Sequence, residues 1–354
     1  MYTESEINAN SNMKNPSFLT QLNDAYGFLL PGAQIQKFGD GHIHKTFLID
    51  DGVRQYILQQ FNNSVFKNPE RISHNHAILL DQINANQLPF ELPLPIPNLN
   101  GELFTVIDGD YFRLSPFITG KCINEVDNSH QAYLAAKAFA HFIKAGIHID
   151  ASLFQEVIPG FNDLELRYNQ LLEALSKTER EVTGELQVLV DFYLSQKDLV
   201  EEYLFWKERL PLRLTHNDTK INNLIFSENL NKVIAIIDLD TLTAGYVYYD
   251  FGDLVRTVAC TEGENSTNWN NIDVDQDKFD ALLNGLLEIG DGTFTKDEIQ
   301  SLSFGGKMMT CIMGFRFLAD YLNGNIYYTI HYEAQNLHRA KNHMHLLMAL
   351  RKRR

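Results

Sequence analysis

The sequence contains few cysteines, and their spacing excludes two kinds of site. Cys122, Cys260 and Cys311 are the three cysteines among 354 residues. None forms the closely spaced pair that zinc sites use, and the framework of a small disulfide-bonded domain is missing as well. We therefore expect three reduced, mostly buried thiols in a cytoplasmic protein.

Basic residues are also scarce. Lysine and arginine number 30 against 45 acidic residues, which gives a formal charge of −15. Nucleic-acid-binding proteins usually carry a basic surface, so we expect no nucleic-acid partner. No apolar run approaches the roughly 20 residues of a membrane span, so we expect no membrane partner either. An apolar content of 44% is typical of a folded globular protein.

The first third of the chain is rich in strand patterns. After a polar leader at 1–19, the segment 20–115 has short apolar runs separated by tight turns at Asp50–Gly52 and Asp108–Asp110. This pattern predicts an antiparallel sheet. Apolar residues at helical spacing within 68–84 predict one helix in the same region.

The remainder, 116–354, is mainly helical in pattern. The segment after Ser129, a predicted N-cap, has strong amphipathic spacing. Three further helices are predicted near the end of the chain, at about 276–289, 297–322 and 332–352. The sequence therefore predicts an α+β fold with a β-rich N-terminal lobe and a mainly helical C-terminal lobe. Ligand sites favour the cleft between such lobes.

The segment "LTHNDTKINNLIF" holds the densest polar cluster of the chain. His216, Asp218 and Asn223 follow the spacing H-x-D-x-x-x-x-N of a kinase catalytic loop. In such a loop the aspartate accepts the proton of the attacking hydroxyl, and the asparagine reaches a magnesium ion. We interpret His216 as a structural residue whose ring holds the loop backbone.

A second acidic element follows the loop. The apolar run "VIAIIDLD" ends in Asp238 and Asp240. Magnesium prefers oxygen ligands and usually takes one or two carboxylates beside phosphate. Asn223 and Asp238 are therefore the predicted Mg²⁺ ligands. We expect Asp240 to be a turn residue, with a second metal contact as the alternative.

The letters D-F-G in "YYDFGD" match the metal-binding signature of protein kinases. Asp250 is nevertheless too far along the chain from Asn223, because a complete strand intervenes. We expect Asp250 to be a buried carboxylate that accepts hydrogen bonds from the catalytic loop.

The segments "LTHNDTKINNLIF", "VIAIIDLDT" and "YYDFGDLVR" together resemble the aminoglycoside-phosphotransferase-like kinase family, most closely its N-acetylhexosamine 1-kinase branch. The later segments "FRFLADYLNGNIYY" and "NLHRAKN" are similar to that branch too. The resemblance covers most of the C-terminal lobe. It implies a bilobal protein-kinase-like fold, ATP as donor and a small-molecule acceptor, with a sugar as the first choice.

The resemblance also implies individual roles. Asp218 would be the catalytic base, and Asn223 and Asp238 would hold Mg²⁺. Lys220 would stabilise charge in the transition state, although a solvated loop lysine is the plain alternative. Gly39 and Gly41 would lie in a loop over the phosphates.

The N-terminal lobe departs from the kinase pattern. Gln59 and Gln60 stand in the third strand, where many kinases have a phosphate-pairing lysine. Donor binding would then depend more on the metal ions than on a lysine–glutamate pair.

Arg316 is the candidate acceptor-binding residue that the resemblance implies. Its spacing of four from Asp320 is explained equally by an ion pair on a helix surface. We expect Tyr327, Tyr328 and Phe112 to be core residues rather than sugar platforms.

These observations lead us to expect a cytoplasmic kinase that transfers the γ-phosphoryl of ATP to the anomeric hydroxyl of an N-acetylhexosamine. The first alternative changes the acceptor to an amino alcohol, an aminoglycoside or another sugar. A metal-dependent hydrolase built on His216, Asp218 and Asp238 would lack further ligands and would leave Asn223 without a role. A non-catalytic nucleotide-binding protein is disfavoured because base and metal residues are both present. Protein-kinase activity is disfavoured because Asn217 replaces the arginine of H-R-D.

Overall fold

The computed structural model describes residues 16–28, 32–39, 44–62, 68–84 and 87–353. Its first lobe contains an antiparallel sheet, as predicted, with the strand order β1-β2-β3-β5-β4. The strands are β1 (Gln34–Lys37), β2 (Lys45–Asp50), β3 (Gln55–Gln60), β4 (Thr105–Ile107) and β5 (Asp110–Pro116).

One face of this sheet is apolar. Ile49, Leu58 and Leu114 come from three neighbouring strands and are fully buried. Helix α1 (Pro16–Tyr26) covers them with Leu22. Residues 16–19 of the predicted leader therefore lie within a helix.

The predicted helix of the first lobe is α2 (Pro69–Gln82). Pro69 suits its first turn, because proline at that position removes no intrahelical hydrogen bond. Its Leu79 and the following Ile83 belong to the core of the second lobe, together with Phe139. Helix α2 thus lies between the lobes rather than on the sheet alone.

The second lobe is mainly helical, as predicted. Its helices are α3 (Ser129–Ala145), α4 (Leu164–Lys177), α5 (Gly184–Leu194), α6 (Lys197–Lys207), α7 (Val247–Val258), α8 (Gln276–Gly290), α9 (Lys296–Leu322) and α10 (Gln335–Lys352). The predicted N-cap at Ser129 is wrong by one residue, because Asn128 accepts the hydrogen bond from the backbone N–H of Gln131.

Helices α7 and α9 pass very close to each other. A Cβ atom at Gly252 would overlap the backbone carbonyl of Gly305, and one at Gly305 would meet the carbonyl of Tyr248. The glycine of the D-F-G letters is therefore explained by helix packing.

The cysteines differ in exposure. All three are free, but Cys122 is exposed, Cys260 is partly buried and Cys311 is buried. The prediction of mostly buried thiols is thus wrong for Cys122, which lies at the start of the second lobe. Within the described ranges, no helix is both long enough and apolar enough to cross a membrane.

Candidate active site

Two short antiparallel strand pairs bring the polar motifs together. Strand β6 (Arg213–Thr215) pairs with β9 (Thr243–Gly245), and β7 (Leu224–Phe226) pairs with β8 (Val233–Ile236). The loop 216–223 joins β6 to β7, and the turn 237–242 joins β8 to β9. The backbone N–H of Ile237 donates to the carbonyl of Asn223 at 2.9 Å. This bond places Asn223 beside Asp238.

His216 and Asp250 hold the loop backbone. Asp250, on α7, accepts the backbone N–H groups of His216 at 2.9 Å and Asn217 at 2.8 Å. Burial raises the pKa of Asp250 to about 6, although these hydrogen bonds favour its charged form. The His216 ring is fully buried and bonds the Ile237 carbonyl at 3.0 Å. These contacts are those expected of structural support.

Asn217 is a structural residue that the sequence reasoning did not identify. It has a φ of 65°, a left-handed conformation that asparagine tolerates better than most residues. Its side-chain amide contacts the carbonyls of Thr241 at 3.2 Å and Thr215 at 3.3 Å. Asn217 therefore ties the loop to the neighbouring strands. One sign of this role is present in the sequence, because Asn217 stands where the arginine of H-R-D is expected.

Asp218 lies between two potential donors. Lys220 Nζ is 2.8 Å from one carboxylate oxygen, and Asn223 Nδ2 is 3.2 Å from the other. Burial opposes the charge of Asp218, but Lys220 outweighs it and holds the carboxyl pKa below its usual value. Asp218 raises the pKa of Lys220 in return. Asp218 is therefore held as a charged carboxylate in an ion pair with the Lys220 ammonium group.

Asn223 and Asp238 offer oxygen ligands at one side of Asp218. The amide nitrogen of Asn223 donates to the Asp218 carbonyl at 2.8 Å, which leaves the amide oxygen to face another group. Enclosure in the cleft and the carboxylates of Asp240 and Asp218 raise the pKa of Asp238 to about 6. The Asp238 side chain is nevertheless exposed, so a ligand can reach it.

This donor set suits Mg²⁺. An amide oxygen and a carboxylate are hard ligands, and magnesium completes its shell with phosphate and water. The described residues contain no cluster of three or more histidine, cysteine, aspartate or glutamate side chains that could hold a metal. A metal at this place would thus depend on the oxygens of a bound nucleotide. Asn223 and Asp238 remain the predicted ligands.

Asp240 is a turn residue, as expected, but it has buried partners that the sequence does not indicate. It lies in a short 3₁₀ turn, but its side chain is 1% exposed and is engaged by two residues of the first lobe. Both terminal nitrogens of Arg113 bond its two oxygens, and His44 Nε2 is 2.7 Å from Oδ2. The predicted position in a turn is therefore confirmed, but the sequence did not reveal that the carboxylate is the centre of a buried charge cluster.

The first-lobe candidates can be placed only in part. Gly39 has a φ of 67°, which suits the turn that follows β1. Gly41 lies outside the described residues. Gln59 accepts a hydrogen bond from Arg113 Nε at 2.9 Å, and Gln60 donates to Asp110 at 2.7 Å. At the position where many kinases have a lysine, the two glutamines thus form hydrogen bonds with other side chains of the sheet.

Arg316 does not pair with Asp320. Asp320 is buried and accepts three backbone N–H groups, from Ile326 at 3.0 Å, Tyr327 at 2.8 Å and Tyr328 at 3.0 Å. The predicted surface ion pair is therefore wrong. Asp320 instead shapes the turn that follows α9.

That turn brings aromatic rings to Arg316. The guanidinium carbon lies 5.7 Å from the ring centre of Tyr327, 5.5 Å from that of Tyr328 and 5.1 Å from that of Phe161. Tyr327 is 59% exposed, so the expectation that it is a core residue is wrong. Phe112 is buried, as expected.

A cavity of about 210 Å³ opens beside Lys220. Arg256, Glu264 and His343 contribute to its wall, and Arg256 pairs with Glu264 at 2.9 Å. His343 Nδ1 lies 2.9 Å from the Arg339 carbonyl, which requires a proton on Nδ1. Its Nε2 is therefore a buried acceptor, and no hydrogen-bond partner for it is found in the part of the chain that the structure describes.

Comparisons with known proteins agree with this architecture. The model of the phosphotransferase enzyme family matches residues 34–280. An aminoglycoside phosphotransferase from Alicyclobacillus acidocaldarius subsp. acidocaldarius superimposes with a TM-score of 0.62 at 14% identity, covering 93% of each chain. An ethanolamine kinase of Plasmodium vivax gives 0.61 at 15% identity, covering 97% of this chain and 90% of its own.

A third structure includes bound ligands. A spectinomycin phosphotransferase in complex with ADP and spectinomycin gives a TM-score of 0.56 at 14% identity, covering 95% of this chain and 97% of its own. At such identities the likeness establishes the fold, which is bilobal and protein-kinase-like, as the resemblance implied.

Proposed function

The chain belongs to the phosphotransferase enzyme family, and from that premise we propose that it is an ATP-dependent kinase of a sugar hydroxyl. The proposed acceptor is the anomeric hydroxyl of an N-acetylhexosamine, which becomes a sugar 1-phosphate. The observation that carries the proposal is the convergence of Asp218, Lys220, Asn223 and Asp238 at the junction of two strand pairs.

Each group has a defined task in this reaction. Asp218, charged because Lys220 lies 2.8 Å away, orients the acceptor hydroxyl and accepts its proton. Lys220 stabilises the negative charge of the transferring group. Asn223 and Asp238 would hold the metal ion, which supplies charge neutralisation on the phosphates when it is bound.

We assign the two sides of the cleft by the same reasoning. Residues 20–115 form the proposed nucleotide-binding lobe, and 116–354 form the proposed catalytic and acceptor-binding lobe. ATP is supported as donor by the ADP bound in the spectinomycin phosphotransferase structure. Gly39 lies in the loop that would cover the phosphates.

The cavity beside Lys220 supports a hydroxyl-rich acceptor. Its carboxylate Glu264 is paired with Arg256, which Asp253 shares, and His343 presents a nitrogen that accepts a hydrogen bond. A neutral sugar satisfies such a wall through its hydroxyl groups without placing an extra charge in it.

A cationic acceptor is the second candidate. Glu125 and Glu262 also line the cavity, and their carboxylates would suit the ammonium group of an amino alcohol or an aminoglycoside. The spectinomycin phosphotransferase and the ethanolamine kinase act on acceptors of that class by their names.

An acceptor panel separates the two candidates. ADP release would be measured with Mg–ATP and N-acetylglucosamine, N-acetylgalactosamine, glucose, galactose, choline, homoserine or kanamycin, with Asp218→Asn as the control enzyme. We expect turnover with the two N-acetylhexosamines and its loss in the control. Turnover with choline or kanamycin instead would keep the kinase and replace the acceptor. Absence of turnover with every member would contradict the proposal.

A further inference from the structure

The turn that carries Asp238 is held by first-lobe groups to which the proposed reaction gives no task. We propose that Arg113 and Asp240 form a coupling pair that connects the first-lobe sheet to this turn and so positions Asp238 for the magnesium–nucleotide complex. The inference rests on the proposed function, because Asp238 is the ligand that the pair would position. Arg113 and Asp240 are thus positioning residues and touch no reacting atom.

The contact between Arg113 and Asp240 is geometrically demanding. Arg113 lies on β5 directly opposite Gln59 on β3, and Gln59 accepts from its Nε at 2.9 Å. This bond directs the flat fork of the guanidinium at the turn, where both terminal nitrogens meet both carboxylate oxygens of Asp240. A bidentate pair fixes orientation as well as distance. Arg113 is 4% exposed and Asp240 1%, so water does not compete for it.

His44 is a second hydrogen-bond partner of Asp240. The backbone N–H of Asn62 donates to its Nδ1 at 3.1 Å, so that nitrogen carries no proton. The proton is therefore on Nε2, which donates to Asp240 Oδ2 at 2.7 Å. A carboxylate held by a guanidinium fork and an imidazole N–H is well compensated in a buried site. Both partners come from the first lobe.

Helix α2 holds the same turn from another side. Its Asn75 donates to the Leu242 carbonyl at 2.9 Å, and its His76 bonds the Leu239 carbonyl at 3.2 Å. The backbone just after Asp238 is thus anchored at both ends of the short 3₁₀ segment. The sheet and helix α2 thus both hold the turn 237–242.

Asp238 needs such anchoring. Its φ of 59° and ψ of 56° lie in the left-handed region, which costs energy for residues other than glycine. Such a conformation persists where the surroundings over-determine it. Loss of the Arg113–Asp240 pair would release the turn and let Asp238 relax away from Asn223, so that metal-dependent binding would weaken although neither residue of the pair touches the metal.

The test compares nucleotide affinity with and without magnesium. Calorimetry on the full chain would give the Kd of ADP in Mg²⁺ and in EDTA. The Kd in EDTA divided by the Kd in Mg²⁺ is the ratio that reports the metal contribution. We expect Arg113→Gln and Asp240→Asn each to lower this ratio by about tenfold or more, as for other residues that orient a metal ligand. Arg113→Lys keeps the charge without the fork, and we expect it to restore part of the ratio.

Arg71→Gln is the matched control. Arg71 also joins the lobes, because it donates from α2 to the Glu156 carbonyl at 2.8 Å, but it does not contact the turn. We expect its ratio to equal that of the wild type. A purely structural role of the coupling pair would lower the melting temperature and leave the ratio unchanged. That result, in folded Arg113→Gln and Asp240→Asn, would overturn the inference.

Two further variants keep the outcomes distinguishable. Asp238→Asn tests the metal assignment itself, since asparagine tolerates the left-handed backbone. An unchanged ratio in Asp238→Asn would reject the metal assignment together with the inference, whereas a lowered ratio there and a normal one in Arg113→Gln would reject the inference alone. If the single variants do not fold, Arg113→Gln combined with Asp240→Asn removes both buried charges together, and a lowered ratio in it is the expected result.

Discussion

At the scale of single residues, Asp218 is the proposed catalytic base. Its carboxylate lies between Lys220 and Asn223 and is held in its charged form. We expect Asp218→Asn to lower kcat by about 10²- to 10⁴-fold, the usual contribution of a general base. The Kd of Mg–ADP should stay at the wild-type value, because Asn223 and Asp238 are retained. Steady-state kinetics and calorimetry on the same preparation measure both quantities, and comparable turnover by the variant would contradict the assignment.

Substitution of Arg316 tests the proposed acceptor-binding site. Its guanidinium is surrounded by Tyr327, Tyr328 and Phe161 rather than paired with a carboxylate. Because a hydrogen bond from a charged group contributes about 1.5–3 kcal/mol, we expect Arg316→Met to raise the acceptor KM by about tenfold or more. The KM of ATP should not change.

Arg209→Met provides the control for Arg316. Arg209 also lies over an aromatic ring, with its guanidinium carbon 3.7 Å from the ring centre of Phe205, but this ring is not one of the three at Arg316. Its acceptor KM should match the wild type. An acceptor KM that is unchanged in Arg316→Met would remove Arg316 from the proposed acceptor site.

Residue types and spacing indicate the catalytic loop, but they do not reveal the partners of its side chains. His216, Asp218 and Asn223 are recognisable because eight consecutive residues hold them. Arg113 and Asp240 lie 127 positions apart, so their contact depends on how the sheet lies against the second lobe. The sequence likewise does not predict the left-handed backbone conformation of Asn217 and Asp238.

At the scale of elements, the spacing of apolar residues along the sequence predicted most helices and strands. Buried and partly exposed residues alternate in β3, whereas β2 and β5 contain runs of three and four consecutive buried residues. Helix α8 has a clear apolar face, and the longest helix, α9, is buried along most of its length. Ends were less predictable, since α10 begins at Gln335 rather than near 332. The surface ion pair expected between Arg316 and Asp320 failed because the chain folds back after α9, and helical spacing carries no information about that turn.

The close approach of α7 and α9 gives a prediction at this scale. Gly252→Ala places a methyl group against the backbone carbonyl of Gly305, and two helix backbones cannot yield as a flexible side chain would. We expect the free energy of unfolding to fall by about 3 kcal/mol, near the upper end for overpacked cores. Urea denaturation measures it. Gly263→Ala, where a Cβ meets nothing within 4 Å, should be near neutral, and equal stability of the two variants would contradict the packing argument.

At the scale of the whole molecule, His343 should contribute a loss of stability on mild acidification. His76, whose pKa burial also lowers to about 4, adds to this loss, whereas Asp238 and Asp250, whose pKa values are raised to about 6, oppose it. Burial lowers the pKa of His343 to about 4 from its ordinary value of 6.5. The unfolded chain therefore takes up a proton between pH 7 and 5 while the folded protein does not. This difference removes about 2 kcal/mol of unfolding free energy at pH 5, and the loss continues until the folded pKa is reached.

Denaturation curves at pH 7 and pH 5 measure this effect. The Glu264 carboxylate lies 4.0 Å from His343, and its pKa is lowered because the cations around it outweigh its burial, so its own contribution is lost at still lower pH. His343→Gln should remove this contribution, so that between pH 7 and 5 the variant loses about 2 kcal/mol less of its unfolding free energy than the wild type does. A loss equal to that of the wild type would show that His343 does not make this contribution.

The position of α2 bears on how the cleft closes. Its Leu79 is buried in the core of the second lobe, while the sheet has a core of its own around Leu58 and Leu114. A rocking motion that carried the sheet and α1 and left α2 with the larger body would therefore have to pivot at the buried Arg113–Asp240 pair, which ties the sheet to that body. The boundary between the moving part and the larger body then falls between the sheet and α2. The moving part is therefore smaller than the first lobe as defined by residues 20–115, which includes α2.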